Sequence, residues 1–170
     1  RPAVQMPHGV LSNSPCQVIY DSTGGKFGPF AGEPFVGEMN HDHIIRLMLE
    51  EVDGQIQGAA TRLLKGGLPR GINRLAFDDD GVLWVGHTKR GKGWGGGGGL
   101  TRITFKGETP QEVASMKLTN VGFTLTFTKP LDVAKVVTEN FVFQRYYYEY
   151  HAKYASNRYD VASILSLIHI

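Results

Sequence analysis

Short runs of apolar and β-branched residues, separated by turns, set the pattern of this chain. The runs are rich in Val, Ile, Phe, Tyr and Thr, and 22 glycines and 8 prolines are spread between them. This punctuation is typical of turns between β-strands and not of long helices. In LMLEEVDGQIQGA, Asp53 and Gly54 supply the positive φ angles of a two-residue turn between residues 47–52 and 55–59. The sequence therefore predicts an all-β fold, with this segment as its clearest hairpin.

Two further turns divide the later part of the chain. The acidic run DDDG at residues 78–81 separates INRLAF from VLWVGH. The segment KLTNVGFTLTF is interrupted at residues 120–122, after which Phe123, Leu125 and Phe127 alternate with threonines. Because successive side chains of a strand point to opposite faces, this alternation predicts a half-buried strand.

An internal repeat indicates the architecture. FVGEMNHDHIIRLML, starting at Phe35, matches WVGHTKRGKGWGGGGGLTRITF, starting at Trp84. Both read aromatic-Val-Gly, one polar residue, an interrupting loop and then an arginine inside a strand, at Arg46 and Arg102. The two copies are 49 residues apart, close to the roughly 40 to 50 residues of a four-stranded propeller blade. The repeat therefore predicts about two blades of a partial β-propeller.

The second copy of the repeat carries five consecutive glycines after Trp94. A phosphate-binding loop would follow a strand, lead into a helix and carry a Lys-Ser/Thr signature, whereas here a strand follows. The glycines are interpreted as a flexible insertion in a blade loop, with Trp94 as the residue that pins this ligand loop. Arg46 and Arg102 are interpreted as blade-stabilising ion-pair partners, with a position in the central channel as the alternative.

The character of the sequence changes near residue 109. Residues 1–108 are assigned to the partial propeller, and residues 109–164 to the start of a truncated immunoglobulin-like β-sandwich with a long aromatic strand. Residues 165–170 read like a translated sequencing adapter, as found at the ends of metagenomic reading frames, and we set them aside. Six of the seven tyrosines lie between Tyr146 and Tyr159. Packing within the sandwich is favoured for them, and a sugar-stacking face is the alternative.

The composition limits the classes of function. The 170 residues are 41% hydrophobic and 20% charged, which is typical of a globular protein with a core. A net charge of +2 and the lack of a nucleic-acid-binding module argue against nucleic-acid binding. Cys16 is the only cysteine, so an intrachain disulfide is excluded. No apolar run reaches the roughly 18 residues of a membrane-spanning helix.

The segment GGKFGPFAGEPFVGEMNHDHIIRLMLEEVDGQIQGAATRLLKG, followed by GINRLAFDDDGVLWVGHTKRG, resembles the closing blades of secreted β-propellers grouped with glucose/sorbosone dehydrogenases. The likeness covers about residues 25–128. It implies a periplasmic or extracellular protein whose propeller is joined to an immunoglobulin-like domain and, elsewhere in the parent chain, to a cytochrome c domain. The chain itself has no C-x-x-C-H haem motif.

The resemblance also implies a cofactor. The best-understood members bind pyrroloquinoline quinone (PQQ) and calcium and oxidise the C1 hydroxyl of a sugar with a histidine base. The segment INRLAFDDDG matches the position where these members carry cofactor-binding arginines, which makes Arg74 the candidate here and puts Asn73 where an arginine is expected. The base and the calcium loop belong to earlier blades. PQQ and calcium are thus expected in the full-length parent and not in this fragment alone.

Histidines and carboxylates gather in one predicted loop. Glu38, His41, Asp42 and His43 are neighbours in sequence, and the repeat places His87 at the position of Glu38. Imidazole and carboxylate groups can bind zinc or copper. Glu38, His41, His43 and His87 are therefore candidate metal ligands, although an exposed, solvated loop would contain the same residues.

Two classes of function remain open. In the first, the chain supplies the final blades of a relative of the quinone-dependent sugar dehydrogenases and is inactive alone, because most of the active centre lies upstream. In the second, it is a non-catalytic propeller and immunoglobulin-like module that binds carbohydrate or another surface partner. A histidine base and a calcium loop upstream would favour the enzyme.

Overall fold

The computed structural model of the chain describes residues 2–64, 66–89, 95–152 and 156–164. Their regular structure is almost entirely antiparallel β, which confirms the all-β prediction. In chain order the strands are β1 (Pro15–Tyr20), β2 (Pro34–Glu38), β3 (Ile44–Val52), β4 (Gln55–Arg62), β5 (Ile72–Phe77), β6 (Leu83–Lys89), β7 (Gly95–Ile103), β8 (Val113–Thr119), β9 (Gly122–Phe127), β10 (Phe143–Tyr147) and β11 (Tyr159–Ile164). The chain divides into two compact units, Arg1–Lys129 and Pro130–Ile170.

Strands β1 to β4 form an antiparallel meander, which we call the first sheet. Its β3–β4 hairpin turns at Asp53 and Gly54, whose φ angles are 50° and 74°, and Val52 pairs with Gln55 across the turn. Asp-Gly suits this turn because both positions need positive φ. The predicted hairpin is confirmed, and both of its strands are longer than predicted.

Strands β5 to β7 form the second sheet of the first unit. The predicted INRLAF run is β5, and the acidic turn connects it to β6 as predicted. Asp78 shapes this turn, because its Oδ1 accepts hydrogen bonds from the N–H groups of Asp80 at 3.1 Å and Val82 at 2.9 Å. Its Oδ2 accepts a bond from the indole N–H of Trp84 at 2.8 Å, which fixes the tryptophan ring.

The glycine run does not form the predicted flexible loop. Its residues are the first part of β7, where Gly95 pairs with Lys89 and Gly99 pairs with His87. A Cβ atom at Gly96 would lie 2.9 Å from the carbonyl oxygen of Arg70, so the strand approaches this backbone closely because it has no side chain there. The loop interpretation was wrong since pairing with β6 needs only main-chain groups. Trp94 lies outside the described residues.

The two sheets pack face to face. The rings of Phe27, Phe35 and Phe77 meet at centroid distances of 5.1 to 6.1 Å in edge-on or tilted contacts. The sheets are also linked by a hydrogen bond of 3.1 Å from the N–H of Leu75 to Oε1 of Gln17. Burial of apolar surface between the sheets is the main force that holds them together. The buried core consists of Phe27, Phe30, Phe35, Ile44, Leu63, Ile72, Leu75, Leu83 and Val85.

The sequence repeat is also a repeat of strand pairing. Phe35 lies opposite Arg46 in the first sheet, and Trp84 lies opposite Arg102 in the second. Strands β1, β2 and β3 therefore correspond to β5, β6 and β7. Within the described residues, β4 has no counterpart in the second sheet.

The β8–β9 hairpin lies in the first unit and breaks where the sequence predicted. The guanidinium of Arg46 donates hydrogen bonds to the carbonyl oxygens of Val113 and Ala114. The N–H of Leu118 donates to Oε1 of Glu50 at 3.0 Å. These bonds join the first sheet to a hairpin that was predicted to begin the immunoglobulin-like domain at residues 109–164. That domain stays a prediction.

The second unit contains the antiparallel ribbon β10–β11 and two single 3-10 turns, Val133–Lys135 and Thr138–Asn140. The predicted long aromatic strand is confined to the five residues of β10. None of the described residues from 130 onward is buried. Across the described part of the whole chain, no helix is long and apolar enough to cross a membrane.

Candidate functional site

Glu38, the last residue of β2, is the most heavily hydrogen-bonded member of the predicted metal site. Its side chain is fully buried. Oε1 accepts hydrogen bonds from the N–H groups of Asn13 at 3.0 Å and Ser14 at 2.5 Å. Oε2 accepts from the N–H of Asn40 at 2.8 Å and from the N–H of His41. One carboxylate thus serves four main-chain donors.

These hydrogen bonds hold two loops at one end of the first sheet. Residues 12–14 lead into β1 and residues 40–41 follow β2, so Glu38 connects segments that are distant in sequence. Hydrogen bonds from N–H groups to a carboxylate are stronger than neutral ones, and a buried carboxylate without such donors would be costly. The oxygens of Glu38 are therefore directed at the backbone, which leaves them poorly placed to bind a metal ion.

His43 and His41 form a stacked pair beside this carboxylate. His43 is 2% exposed, and its Nε2 donates to the carbonyl oxygen of Leu11 across 2.8 Å. Burial lowers the pKa of His43, which favours its neutral form. The two imidazole centroids are 5.2 Å apart with 15° between the ring planes. The Nε2 of His41 is buried and has no hydrogen-bond partner among the described residues.

His87 lies in the second sheet, on β6. Its Nε2 is 2.8 Å from the hydroxyl of Thr101, and its Nδ1 is buried without a described partner. Within the described part of the chain, no three His, Cys, Asp or Glu side chains are close enough to share a metal ion. The structure brings His41 and His43 together but does not gather them with Glu38 and His87 as one ligand set.

Arg74, the cofactor-binding candidate, is exposed on β5. Its Nη1 donates to the carbonyl oxygen of Asn73 at 2.9 Å and to the side-chain oxygen of Asn73 at 3.1 Å. Asn73 therefore orients Arg74, and the rest of the guanidinium can receive a carboxylate. One arginine without a calcium ligand set among the described residues does not fit PQQ and calcium as a complete site.

Arg46 carries a further buried charge in the first unit. Its side chain is fully buried, its Nη1 lies 2.5 Å from Oε2 of Glu33, and its guanidinium carbon lies 3.9 Å from the ring centroid of Phe30. Burial raises the pKa of Glu33, and the hydrogen bond from Arg46 opposes that rise. The predicted ion-pair role of Arg46 is confirmed. Glu33 was missed because no motif or spacing in the sequence links the residue before β2 to an arginine on the neighbouring strand β3.

A groove of about 220 Å³ opens beside this ion pair. Its walls include Tyr20, Glu33, Leu49, Met116 and Lys117. The sequence did not predict this groove, because its lining residues come from four strands and the β1–β2 connection and share no motif. Its mixed lining offers an aromatic ring, a carboxylate and an ammonium group over a partly apolar floor.

Four tyrosines of the second unit form two ring pairs. Tyr147 lies opposite Tyr159 on β10–β11, with ring centroids 5.6 Å apart and 25° between the planes. Tyr147 is 53% exposed. Tyr146 and Tyr148 meet edge to face at 5.4 Å, and burial raises the pKa of Tyr148 to about 12, which keeps its hydroxyl protonated. The described part of this unit does not bury these rings in a sandwich core.

Comparison with models of protein families, with curated proteins and with solved structures gave no match to this chain.

Proposed function

We propose that residues 15–103 are two consecutive blades of a β-propeller. The observation that supports this most strongly is the shared pairing of Phe35 with Arg46 and of Trp84 with Arg102, in sheets stacked face to face. Blades of a propeller are antiparallel meanders that repeat in sequence and pack in this way around a channel.

We further propose that the chain acts as a binding module and that catalysis, if the parent protein has any, lies in other blades. The polar groups at the end of the first sheet are occupied by main-chain partners: Glu38 binds four N–H groups and His43 binds the Leu11 carbonyl oxygen. Groups held in this way stabilise loops and have few lone pairs or protons left for a substrate.

A carbohydrate is the ligand class that the second unit favours. The Tyr147–Tyr159 pair presents two nearly parallel rings at the surface. Sugar rings have apolar C–H faces, and a flat aromatic side chain with a polar tip can stack on them while its hydroxyl group stays in contact with water. Arg158, whose guanidinium carbon lies 5.4 Å from the centroid of Tyr146, adds a hydrogen-bond donor to the same ribbon.

Titration calorimetry with hexasaccharides of glucose, xylose and N-acetylglucosamine tests this proposal. We expect saturable binding of at least one of them, and we expect Tyr147→Ala to weaken it about tenfold, since loss of one stacking contact removes about 1.5 kcal/mol. Tyr150→Ala is the matched control, because Tyr150 is fully exposed and outside the stacked pair. An equal loss in both variants, or no binding of any sugar, would reject the Tyr147–Tyr159 surface.

The resemblance to quinone-dependent sugar dehydrogenases supplies a second candidate, and the exposed guanidinium of Arg74 is the observation that favours it. In a longer parent protein, PQQ would supply the oxidant, and Arg74 would hold one of its carboxylates in a bidentate contact. Such a protein would be periplasmic or extracellular, as the resemblance implies.

PQQ titration in the presence of calcium separates this candidate from the binding module. We expect no tight binding by residues 1–170 alone, and saturable binding by a product extended upstream that Arg74→Ala weakens about tenfold or more. Arg145→Ala, which removes an exposed arginine of the other unit, is the control. Binding by the extended product that is indifferent to Arg74→Ala would remove Arg74 from the cofactor site.

A further inference from the structure

The chain contains two Asp-Gly pairs, Asp53–Gly54 and Asp80–Gly81. In such a pair the main-chain nitrogen of the glycine can attack the carboxyl carbon of the aspartate before it, because glycine has no side chain to shield its own nitrogen. Both pairs lie in turns between strands, and both glycines have positive φ angles, 74° and 83°. The two sites therefore share their chemistry and differ in their surroundings.

The Asp53–Gly54 turn is open to solvent. Both residues are exposed, and a Cβ atom at Gly54 would meet no atom within 4 Å beyond its chain neighbours. The pairing of Val52 with Gln55 closes the turn and leaves the two central residues outside the ladder. Within the described part of the chain, neither the carboxylate of Asp53 nor the N–H of Gly54 forms a hydrogen bond. Both reacting groups are therefore unoccupied.

The Asp80–Gly81 turn is closed instead. Gly81 is buried, and its N–H donates to the carbonyl oxygen of Asp78 at 3.1 Å. The N–H of Asp80 donates to Oδ1 of the same Asp78, also at 3.1 Å. A Cβ atom at Gly81 would collide with the Cβ atom of Lys26, so this turn is packed against another segment of the chain. Attack by the Gly81 nitrogen requires that this hydrogen bond and this packing first be lost.

We propose that Asp53–Gly54 is a modification site at which isoaspartate forms spontaneously, and that the fold protects Asp80–Gly81 from the same reaction. The nitrogen of Gly54 forms a bond to Cγ of Asp53, and the N–H proton and the carboxyl hydroxyl group leave together as water. The product is a cyclic succinimide. Water then cleaves this ring either at Cγ, which restores aspartate, or at the main-chain carbonyl carbon, which gives isoaspartate. The water that leaves in the first step is replaced in the second, so the reaction needs no other reactant.

Isoaspartate changes the main chain of the β3–β4 hairpin. The chain then runs through the former side chain of Asp53 and gains a methylene group, so the two-residue turn no longer matches the twist of its strands. Glu50, on the same hairpin, accepts hydrogen bonds from the N–H of Leu118 at 3.0 Å and from the amide of Gln57 at 3.1 Å. Modification of the turn should therefore weaken the contact of β8 with the first sheet and accelerate amide exchange of Leu118 about tenfold.

Incubation of the folded chain for several weeks at mildly acidic pH, followed by tryptic peptide mapping, tests the proposal. Trypsin places the two sites on different peptides, residues 47–62 and 75–89, and an isoaspartyl methyltransferase labels the peptide that contains isoaspartate. We expect at least about tenfold more label in residues 47–62, because the other site reacts only after local opening. In urea, where both turns are unfolded, the two peptides should be labelled to a similar extent, since glycine follows aspartate in both.

Asparagine variants provide a matched pair for the same comparison. Asp53→Asn keeps a residue type that suits this turn, and its amide should be lost as ammonia with a measurable gain in mass. Asp80→Asn should keep its amide under the same conditions. Absence of isoaspartate from residues 47–62, or equal modification of both peptides in the folded chain, would overturn the proposal. A preference for residues 47–62 that persisted unchanged in urea would overturn the protective role of the fold.

Discussion

Glu38→Ala is expected to lower the free energy of unfolding of the first unit by about 3 kcal/mol or more, or about 10 °C in Tm. The substitution removes the acceptor of four main-chain N–H groups in two loops, including those of Ser14 and Asn40. A buried donor without a partner costs about 1–3 kcal/mol, and entering water can offset part of that cost. Urea unfolding followed by circular dichroism measures the change.

Two variants identify the cause of that loss. Glu38→Gln keeps one acceptor oxygen but points an NH₂ group at the N–H donors on the other side. Its free energy of unfolding is therefore expected to lie between those of the wild type and Glu38→Ala. Glu51→Ala removes an exposed carboxylate of β3 and should change the free energy of unfolding by less than about 0.5 kcal/mol. If Glu38→Ala and Glu51→Ala proved equally mild, the main-chain bonds of Glu38 would contribute little to stability.

Arg46→Met is expected to destabilise the first unit by about 3 kcal/mol, because breaking a buried ion pair leaves the partner charge uncompensated. The variant keeps an apolar side chain over Phe30 but loses the bonds to Glu33 and to the carbonyl oxygens of Val113 and Ala114. Because both carbonyl groups belong to β8, amide hydrogen exchange of residues 113–127 should accelerate more than exchange in β5 and β6.

The pH dependence of this loss follows from Glu33. Burial raises the pKa of Glu33 and Arg46 lowers it, so the pKa of Glu33 should rise further in Arg46→Met. A carboxyl group whose pKa is raised by folding stabilises the fold below its unfolded pKa of about 4.3, and this contribution is lost as the pH rises through the folded pKa. The destabilisation should therefore be smaller near pH 4 than near pH 7.

The double variant Glu33→Gln/Arg46→Met tests whether the uncompensated charge of Glu33 causes the destabilisation. Neutral glutamine leaves no uncompensated charge, so Arg46→Met should cost less in the Glu33→Gln background than in the wild type. A pH-independent loss that is the same in both backgrounds would mean that packing of the long arginine side chain, and not its charge, holds the hairpin.

Local signals in the sequence predicted the turns and the repeat. Asp53 and Gly54 adopt the positive φ angles that only a few residue types accept, and the acidic turn before β6 is closed by its own aspartate. Such features depend on a few adjacent residues. The glycine strand was misjudged because glycine is permissive in a loop and in a strand, and the neighbour that decides between them, β6, acts through the backbone.

The site residues were harder to predict because their partners are remote. Glu38 and His43 have the residue types of metal ligands, but the loop before β1 supplies N–H and carbonyl groups that occupy them. Main-chain groups have no residue-type signature, so no motif reveals them. The Arg46–Glu33 pair depends likewise on the path of the β1–β2 connection and on burial beneath β8.

The glycine segment of β7 also determines how many residues this strand can gain or lose. In ordinary strands, a shift by one residue turns apolar side chains to the wrong face, which fixes the register. Gly95 to Gly99 have no side chains to misplace, so only Leu100 to Ile103 anchor the alignment with β6. We therefore expect that gain or loss of one glycine in this segment leaves the register of residues 100–103 with β6 unchanged, and with it the packing of the core.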